Sequence, residues 1–316
     1  MIENGIKLRH LTTFLEVARL MSIGKAADVL AVTQPAVSKT IRELEEALGV
    51  ALFDRSQRAI ALTAFGEVFL RHAGTSVAAL RQGVESVAQA RGAMAPAVRV
   101  GALPTVSTRL MPLAVKRLKA DGFTGIIRII TGENRTLLNE LRLGELDLVV
   151  GRLAAPELMS GLTFEHLYSE QVVFAVRPGH PLTRERPFDI RRLSAFTVLM
   201  PTEGSVIRPH VEELLIAQGV GPLRDQIETV SMAFGRQFVR LSDAVWIISR
   251  GVVIDDLDAG ILVELPVDTA ETLGAVGLTG RAGGADNPAV ELLAHAVRRV
   301  AAELAAPRES LTAARA

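Results

Sequence analysis

The sequence predicts an α/β protein with an all-α N-terminal part. Apolar residues recur at helical spacing through nearly all of residues 1–92. From Ala97 onward, short apolar runs alternate with helical patterns, which is typical of βαβ units and a parallel sheet. The chain has 316 residues, and at about 100 to 200 residues per domain it is long enough for more than one domain. We therefore expect a small helical domain followed by a larger α/β region.

The composition excludes several classes of protein. Apolar residues make up 49% of the chain and charged residues 22%, a globular balance with a sizeable core. The absence of cysteine excludes disulfides, thiolate nucleophiles and sulfur-ligated metals. No export signal or stretch of about 18 apolar residues is visible, so we expect a soluble, cytoplasmic protein without membrane contact. A net charge of +0 argues against coating nucleic acid by bulk attraction but leaves a local DNA-binding patch open.

Three helices are predicted at the N-terminus. The first spans His10 to Leu20, the second spans Ile23 to Leu30, and the third runs from Gln34 until Gly49 ends it. Ser22 and Thr33 are placed to cap the second and third helices with their hydroxyl groups. Pro35 falls in the first turn of the third helix, where its missing N–H removes no helical hydrogen bond.

The third helix has two distinct faces. Its buried stripe is formed by Val37, Ile41, Leu44 and Leu48. The outward face is polar and carries Gln34, Ser38, Lys39 and Arg42. These residue types reach base edges and phosphates, and they lie in the N-terminal half, the end that a recognition helix presents to the major groove. The alternative is an ordinary helical hairpin with a solvated polar face.

A loop or short hairpin is predicted between Ala51 and Leu62, followed by a long helix from Thr63 to about Arg91. The long helix has an apolar stripe at spacings of three and four: Phe65, Val68, Phe69, Ala73, Val77, Leu80, Val84 and Val87. Such a stripe beside a small domain predicts pairing with a second chain. The alternative is that this helix packs on its own lobe. Gly74 and Gly83 allow a bend, and residues 92–96 form a linker.

The α/β region divides into two sets of elements, which favours two lobes over one. The predicted strands are 98–103, 126–130, 146–151, 171–176, 196–200, 224–230, 245–249 and 275–280. The predicted helices are 110–120, 136–143, 210–218, 233–241 and 288–304. This alternation predicts mainly parallel sheets, and residues 305–316 resemble a frayed tail.

The run from Ala26 to Gly66 closely resembles the winged helix-turn-helix of LysR-type transcriptional regulators. The residues that carry the resemblance are Thr33–Ser38, Ile41, Leu44, Glu45, Leu48, Gly49, Leu52, Phe53, Arg55, Arg58, Leu62, Thr63 and Gly66. The resemblance extends to Gly179-His180-Pro181-Leu182 and to the two-lobe pattern. It implies a winged helix-turn-helix in residues 1–66, a linker helix and hinge in 67–96, and an effector-binding domain in 97–304. In that domain two doubly wound α/β lobes of the type II periplasmic-binding-protein kind are implied, lobe I at 97–168 plus 270–304 and lobe II at 169–269.

The resemblance also implies which residues contact DNA. Gln34, Pro35, Ser38 and Lys39 would face bases or backbone, with Arg42 nearby. Arg55 and Arg58 fall in the wing, where basic residues approach phosphate or the minor groove. For Arg55 an ion pair with Asp54 or Glu67 remains an equal alternative. Linker helices of this family form antiparallel dimers, and many members are tetramers that act through RNA polymerase.

Ligands of doubly wound folds bind at the carboxyl ends of strands, near helix N-termini. In this family the effector cleft between the lobes uses such loops. The candidate effector-binding residues are Thr105, Val106, Ser107, Gly132, Glu133, Asn134, Thr202, Ser205, Val206, Ser231 and Phe234. Their hydroxyl and N–H groups suit a small carboxylate, and Arg135 or Arg208 could add charge. Alternatively, the Ser and Thr residues only cap helices.

Four segments, VRVGALPTVS, IITGEN, LDLVVGRLAAPE and EHLYSE, resemble LysR-type activators of protocatechuate-degradation (β-ketoadipate pathway) operons. That resemblance implies a muconate- or muconolactone-type acid as effector. A regulator of another catabolic or biosynthetic operon with a different effector is the alternative.

Two other function classes fit the sequence poorly. None of the H-E-x-x-H, G-x-S-x-G, P-loop or G-x-G-x-x-G motifs is present, so we expect no enzyme, no catalytic residue, no metal and no cofactor. Asp255, Asp256 and Asp258 could be mistaken for a metal site, but a solvated turn explains them. A transport-type solute-binding protein shares the two-lobe architecture, but it would need an export signal and no helix-turn-helix.

Overall fold

The computed structural model describes residues 5–54, 60–91, 97–283 and 287–305. The predicted linker at 92–96, the tail at 306–316 and the wing residues Arg55 and Arg58 therefore lie outside the described residues. Within the described ranges, no helix is long and apolar enough to cross a membrane.

The first part of the chain is a helical head with a small hairpin. Its elements are α1 (Leu8–Leu20), α2 (Ile23–Leu30), α3 (Gln34–Leu48), β1 (Phe53–Asp54) and β2 (Ala61–Leu62), and β1 pairs antiparallel with β2. The head core is built on Phe14, Ile41 and Leu44, which are fully buried. The three predicted helices and the predicted hairpin are thus confirmed.

The helix ends follow local chemistry, with one exception. The Ser22 hydroxyl accepts a hydrogen bond from Lys25 N at 3.3 Å, and Gly49 ends α3 at φ +69°. Thr33 occupies the N-cap position of α3, but its hydroxyl accepts no capping hydrogen bond. The expected Thr33 cap is therefore wrong, because Pro35 has no N–H and removes one of the two donors that a cap side chain can reach.

The linker helix α4 (Ala64–Ala90) begins where the Thr63 hydroxyl accepts from Gly66 N at 3.0 Å. Its apolar stripe divides into two parts. Phe69, Ala73 and Val77 pack on the head core of the same chain. The remaining stripe residues are exposed: Phe65, Val68, Leu80, Val84 and Val87. The prediction that the stripe pairs with a second chain is therefore wrong for its middle, which packs within its own chain.

From Ala97 the chain alternates strands and helices. The strands are β3 (Ala97–Ala102), β4 (Ile126–Thr131), β5 (Leu148–Arg152), β6 (Leu162–Glu170), β7 (Val172–Val176), β8 (Val198–Met200), β9 (Gln226–Glu228), β10 (Val245–Ser249), β11 (Val263–Glu264) and β12 (Gly274–Arg281). The helices are α5 (Pro104–Ser107), α6 (Leu110–Ala120), α7 (Asn134–Arg142), α8 (Arg208–Ala217), α9 (Met232–Leu241), α10 (Arg250–Asp258) and α11 (Pro288–Ala305).

These elements form two sheets of five strands. Lobe I has the strand order β4-β3-β5-β12-β6, and lobe II has the order β11-β7-β10-β8-β9. The chain passes from lobe I to lobe II at β6 and β7 and returns with β12. Each lobe has apolar clusters on both faces of its sheet, so helices cover both sides.

The sheets are mixed, which corrects the expected mainly parallel arrangement. β4, β3 and β5 run parallel, whereas β12 runs antiparallel to both β5 and β6. In lobe II, β10, β8 and β9 are parallel, while β7 is antiparallel to β10 and β11. β12 and β7 cause this, because each enters its sheet from the other lobe rather than through a helical crossover within its own lobe. β6 was missed because its polar, half-exposed sequence lacks a buried apolar run.

Candidate DNA-binding and effector sites

The outward face of α3 carries the side chains that the sequence analysis predicts to contact DNA. Gln34, Pro35, Lys39 and Arg42 are exposed, and Ser38 is half-buried. On the opposite face, Val37, Ile41 and Leu44 are buried in the head core. The amphipathic pattern therefore determines which polar side chains of α3 point away from the head core. Pro35 lies in the first turn of the helix, as expected.

Glu43 links the outward face of α3 to α1. Its carboxylate lies 3.0 Å from Arg9 Nη2 and 3.9 Å from Lys39 Nζ, and it accepts a hydrogen bond from His10 Nε2 at 3.3 Å. The other ring nitrogen of His10 accepts a hydrogen bond from Lys7 N at 3.2 Å. Desolvation raises the pKa of Glu43, but hydrogen bonds from His10 and Arg9 outweigh it and leave the pKa below its ordinary value.

The hairpin beside α3 is held by another acidic residue of this helix. Glu45 Oε1 accepts hydrogen bonds from Leu52 N at 2.8 Å and from Phe53 N at 3.2 Å. The described strands of the hairpin are thereby anchored to the C-terminal half of α3. The wing residues Arg55 and Arg58 follow directly in sequence.

A cleft lies between the lobes, lined by residues from both. From lobe I come Leu103, Pro104, Thr105 and Arg152; from lobe II come Pro201, Thr202, Ser205, Val206, Ile207, Thr229, Val230, Ser231, Met232, Trp246, Ile248, Ser249 and Val252. Five of the candidates chosen from sequence are among them, namely Thr105, Thr202, Ser205, Val206 and Ser231. The wall is mostly apolar, and the lobes also touch through a hydrogen bond from Thr105 Oγ1 to Ser249 Oγ at 3.4 Å.

The other candidates lie elsewhere. Val106 is fully buried in the lobe I core, because its side chain lies on the inner face of α5. The Ser107 hydroxyl donates to Leu103 O at 2.7 Å, a local bond to its own helix turn. Gly132 lies near Leu137 and does not line the cleft. Phe234 is exposed and stacks on Phe238 with ring centroids 5.4 Å apart.

Two further candidates do not line the cleft but form hydrogen bonds with residues that do. Glu133 Oε1 accepts a hydrogen bond from Thr202 Oγ1 at 3.3 Å, which joins lobe I to lobe II. The buried Asn134 donates from Nδ2 to Arg152 O at 3.4 Å. The capping alternative holds for Ser231, whose hydroxyl accepts from Phe234 N at 3.3 Å while it lines the cleft.

Arg152 is the cationic group of the cleft, and the sequence analysis missed it. Its side chain is only 3% exposed, and Nη2 donates to Thr272 O. Nη1 is buried and has no hydrogen-bond partner among the described residues. Burial lowers the pKa of this guanidinium, opposed by the charge of Glu170. Arg152 ends a strand, so the rule that ligands bind at carboxyl strand ends could have found it.

Glu170 is a second buried charge behind the cleft wall. Its Oε2 accepts from Gly251 N at 3.2 Å, whereas Oε1 is buried without a partner among the described residues. Desolvation raises the pKa of Glu170 to about 7, although Arg152 and the hydrogen bonds from Gly251 and Ser249 oppose this. Arg152 and Glu170 therefore leave one hydrogen-bond donor and one acceptor unsatisfied. Burying such groups costs folding free energy unless a ligand or water supplies partners.

Neither Arg135 nor Arg208, which the sequence analysis suggested, contributes positive charge to the cleft. Arg208 is held by Pro201 O at 2.6 Å and by Glu212 and Glu228. Arg135 lines a separate cavity between the head and lobe I. A carboxylate in the cleft would therefore meet Arg152, with its apolar body against Trp246 and Ile248.

The aspartate cluster lies on α10 and not in a turn, which corrects the sequence interpretation. Asp256 pairs with Arg236 at 2.7 Å, and Asp255 lies 3.6 Å from Arg109. Asp258 lies 4.0 Å from Arg109. In the part of the chain that the structure describes, no group of His, Asp and Glu side chains is arranged to hold a metal ion.

Two family models match the chain. Residues 8–67 match the bacterial regulatory helix-turn-helix protein, lysR family, and residues 91–302 match the LysR substrate binding domain. The HTH-type transcriptional regulator PcaQ of Agrobacterium fabrum is 55% identical over 304 residues, which cover 96% of this chain and 98% of that protein. The regulator YdcI of Escherichia coli is 35% identical over 294 residues, 93% of this chain and 95% of that protein.

Solved structures with the same architecture include a variant of full-length OxyR from Pseudomonas aeruginosa. It is 26% identical with a TM-score of 0.60, covering 93% of this chain and 95% of that chain. Full-length LysG from Corynebacterium glutamicum, with bound effector Arg, has a TM-score of 0.63 at 19% identity, covering 94% of this chain and 99% of that chain. The predicted fold, a helical head followed by a two-lobed α/β domain, is therefore confirmed.

Proposed function

Because the chain belongs to the LysR family of transcriptional regulators, whose members bind promoter DNA and small-molecule effectors and oligomerise, we propose that it regulates an aromatic-catabolism operon in response to a carboxylic acid. The observation that carries the effector class is the buried Nη1 of Arg152 at an apolar cleft between lobes, for which the described part of the chain offers no hydrogen-bond partner. The regulator works in the cytoplasm, where the chromosome lies, and acts as an activator through RNA polymerase.

The head reads duplex DNA with the outward face of α3. Gln34 and Ser38 have the hydrogen-bonding groups that discriminate base edges, while Lys39 and Arg42 suit phosphates. Pro35 opens the helix beside them, and Arg55 and Arg58 approach the backbone from the wing. In a dimer, two such helices enter successive major grooves about 34 Å apart.

Self-association uses the exposed part of the α4 stripe. Leu80 is 50% exposed, Val84 63% and Val87 61%, which is unusual for three apolar residues on one helix face. An antiparallel partner helix would cover this face, as knobs-into-holes packing requires. Association of two such dimers through other surfaces gives the expected tetramer, which bends the DNA between the two sites.

The effector is an acid of the muconate or muconolactone type. One carboxylate is held by Arg152 in the cleft, and the hydroxyl groups of Thr105, Ser205 and Ser231 supply hydrogen bonds to its other oxygens. Thr202 and Val206 line the lobe II side. Support for this class comes from the 55% identity to the PcaQ regulator over nearly the whole chain, together with the four resembling segments. Binding favours the lobe arrangement for which the acid has the higher affinity, which shifts the population of DNA-binding states.

Footprinting on the fragment upstream of the protein's own coding region tests this function. We expect protection that changes in length or spacing when cis,cis-muconate or a carboxymuconolactone is added. Thermal shift with the same acids reports binding to the lobes independently of DNA. Failure to bind any duplex fragment at low salt would remove the DNA-reading role, whereas DNA binding without response to any dicarboxylate would remove the effector class alone.

A further inference from the structure

Arg152 and Glu170 meet at one glycine of β12, where the chain crosses between the lobes. Gly274 is the partner of Glu170 in the pairing of β12 with β6. A Cβ at position 274 would overlap Nε and Nη2 of Arg152, so the guanidinium packs directly on this glycine. Since Gly274 contacts one of the two charged residues and pairs with the other, the buried cation and the buried acid are near neighbours.

A second cavity, which we call the rear cavity, lies behind the cleft wall. It has a volume of about 210 Å³, and its polar lining consists of Thr105, Arg109, Tyr168, Ser169, Glu170 and Arg250. Thr105 also lines the cleft, so the wall between the two cavities is one residue thick at this point. Ser169 is exposed, which places the rear cavity at the surface. Because a water molecule needs only about 10 to 15 Å³ of such space, water can carry protons to Glu170 from this side.

Glu170 is held by one carboxylate oxygen only. Its Oε2 accepts a hydrogen bond from Gly251 N at 3.2 Å, and a Cβ on Gly251 would lie 2.6 Å from that oxygen. Oε1 is buried and has no partner within the described ranges. A carboxylate arranged in this way can gain a proton on its second oxygen without losing the bond to the first. Glu170 can therefore change its charge without changing its position.

The arginines beside the rear cavity are engaged by other acids. Arg250 forms an ion pair with Glu264. Arg109 Nε lies 3.6 Å from Asp255 Oδ1, and its Nη1 lies 4.0 Å from Asp258 Oδ2. These partners offset the positive charge that faces the rear cavity. The guanidinium in the cleft is therefore the cation that most strongly favours the ionised form of the buried acid.

Glu170 is also the group around the two cavities that titrates near neutral pH. Desolvation raises its pKa to about 7, and the charge of Arg152 opposes this. Desolvation likewise raises the pKa of Tyr168, which moves that phenol further from the neutral range. Among the described residues that line the cleft and the rear cavity there is no histidine. An anion bound to Arg152 offsets the charge that opposes protonation of Glu170, so it favours the protonated acid.

We propose that a carboxylate binds Arg152 in the cleft together with a proton, which Glu170 takes up from the rear cavity. The carboxylate of the ligand then replaces that of Glu170 as the counter-charge of the guanidinium, and no additional uncompensated charge is buried. Because the liganded protein holds more protons than the free protein, the affinity falls as pH rises. The effector part of this inference rests on the proposed function, whereas the coupling between Arg152 and Glu170 does not.

Isothermal titration with cis,cis-muconate in phosphate and in Tris counts the protons, because these buffers differ in ionisation enthalpy. If binding raises the pKa of Glu170 by about one unit from about 7, we expect uptake of about half a proton at pH 7.5. Between pH 6 and pH 8.5, where carboxylates of ordinary pKa stay ionised, the affinity should fall by about fivefold to tenfold.

Glu170→Gln should bind muconate without proton uptake and with an affinity that does not change over this pH range. Glu165→Gln, at an exposed position of the same strand, is the matched control and should keep the uptake of the parent. Muconate binding with equal uptake in the parent and in Glu170→Gln, or with no uptake in the parent, would overturn the inference.

A measurement without effector tests the coupling by itself. Arg152→Gln removes the positive charge that a bound anion would offset, and Arg152→Met is a second neutral variant if the first folds poorly. The titration of Glu170 is followed as the difference in free energy of unfolding between each protein and its Glu170→Gln counterpart, in urea from pH 5 to pH 9. We expect the midpoint to rise from about 7 by about one unit in the neutral variants and to stay near the parent value in Arg152→Lys.

The two measurements fail in different ways. An unchanged midpoint in the neutral variants would overturn the inference, because Arg152 would then not control the charge of Glu170. If muconate does not bind the parent at all, the effector class of the proposed function is wrong, and the midpoints still decide whether Arg152 and Glu170 are coupled.

Discussion

The imidazole Nε2 of His10 lies 3.3 Å from a carboxylate oxygen of Glu43, which ties α1 to the outward face of α3. The same carboxylate is within ion-pair distance of Arg9 and Lys39. Arg9 of α1 and Lys39 of α3 are therefore partly neutralised by an acid that accepts a hydrogen bond from His10. We expect this acid to limit non-specific phosphate binding by the head.

Glu43→Gln should strengthen binding to all duplex sequences. The amide keeps an oxygen acceptor for His10 but releases Arg9 and Lys39 for phosphates. Each added phosphate contact steepens the slope of log affinity against log salt by about 0.9, so we expect a change of about 1 to 2. Fluorescence anisotropy over a salt series measures this. Glu46→Gln, on an exposed position of the same helix, should leave the slope nearly unchanged; equal slopes in both variants would contradict the role of Glu43.

Gln34→Ala and Arg58→Ala should separate base reading from phosphate binding. Loss of a base contact costs about 1 to 3 kcal/mol of binding free energy on the cognate site and relaxes specificity. Gln34→Ala should therefore reduce the difference in affinity between matched and scrambled sites. Loss of a phosphate contact weakens every sequence alike, which is the result expected for Arg58→Ala. Footprint titrations on both sites measure the two effects. Intact specificity in Gln34→Ala would contradict the assigned base contact.

The elements that the sequence predicted correctly are those with local causes. The helices α1, α2 and α3 follow from apolar spacing, and their ends follow from Ser22 and Gly49, within one or two turns of the residues concerned. The five cleft-lining candidates follow from a general rule about strand ends. None of these needs knowledge of distant partners.

What the sequence could not provide depends on distant pairing. Glu43 and His10 are 33 positions apart, and nothing in either local pattern identifies the other. Arg152 donates to the carbonyl of Thr272, 120 positions away, and the antiparallel position of β12 requires the chain to return from lobe II. Thr33 is a case in which a local signal fails. It is a favourable N-cap residue at the N-cap position of α3, but its hydroxyl makes no capping hydrogen bond because Pro35 lacks an N–H.

Arg152→Gln should weaken effector binding by about 10- to 100-fold, because a hydrogen bond to a charged group contributes about 1.5 to 3 kcal/mol. Folding should survive, since Glu170 can become protonated when its cationic neighbour is removed. Isothermal titration with cis,cis-muconate measures the affinity. Arg298→Gln is the matched control, because its guanidinium is engaged by Glu165 and does not line the cleft. Equal affinity in the parent and in Arg152→Gln would exclude Arg152 as the anchor.

The free energy of unfolding should fall with rising pH because of Glu170. Its pKa is about 7 in the folded protein against an ordinary value of 4.5, so the native state binds more protons than the unfolded state in this window. The contribution is fully present below pH 4.5 and is lost as pH rises through about 7. The change in the free energy of unfolding between these two pH values amounts to about 3 kcal/mol.

Glu170→Gln isolates this contribution from other titrating groups. Urea unfolding at pH 5 and pH 8 should show that the variant gains stability relative to the parent as pH rises. Glu165→Gln, which removes a surface partner of Arg298, should show no such gain. If the difference between Glu170→Gln and the parent were independent of pH, Glu170 would not titrate in this window.

Charge on the exposed stripe of α4 should dissociate the proposed dimer. In Val84→Lys an ammonium group would be buried between two helices, and an unpaired buried charge costs several kcal/mol. Since Val84 is 63% exposed in the single chain, the same change should barely affect its folding. Ser86→Lys adds the same charge on the opposite side of the helix, about 200° away at 100° per residue. Sedimentation velocity should therefore show smaller particles for Val84→Lys alone, and DNA binding should weaken with it because two heads no longer bind as a unit. Parent-like particles in Val84→Lys would mean that other surfaces hold the chains together.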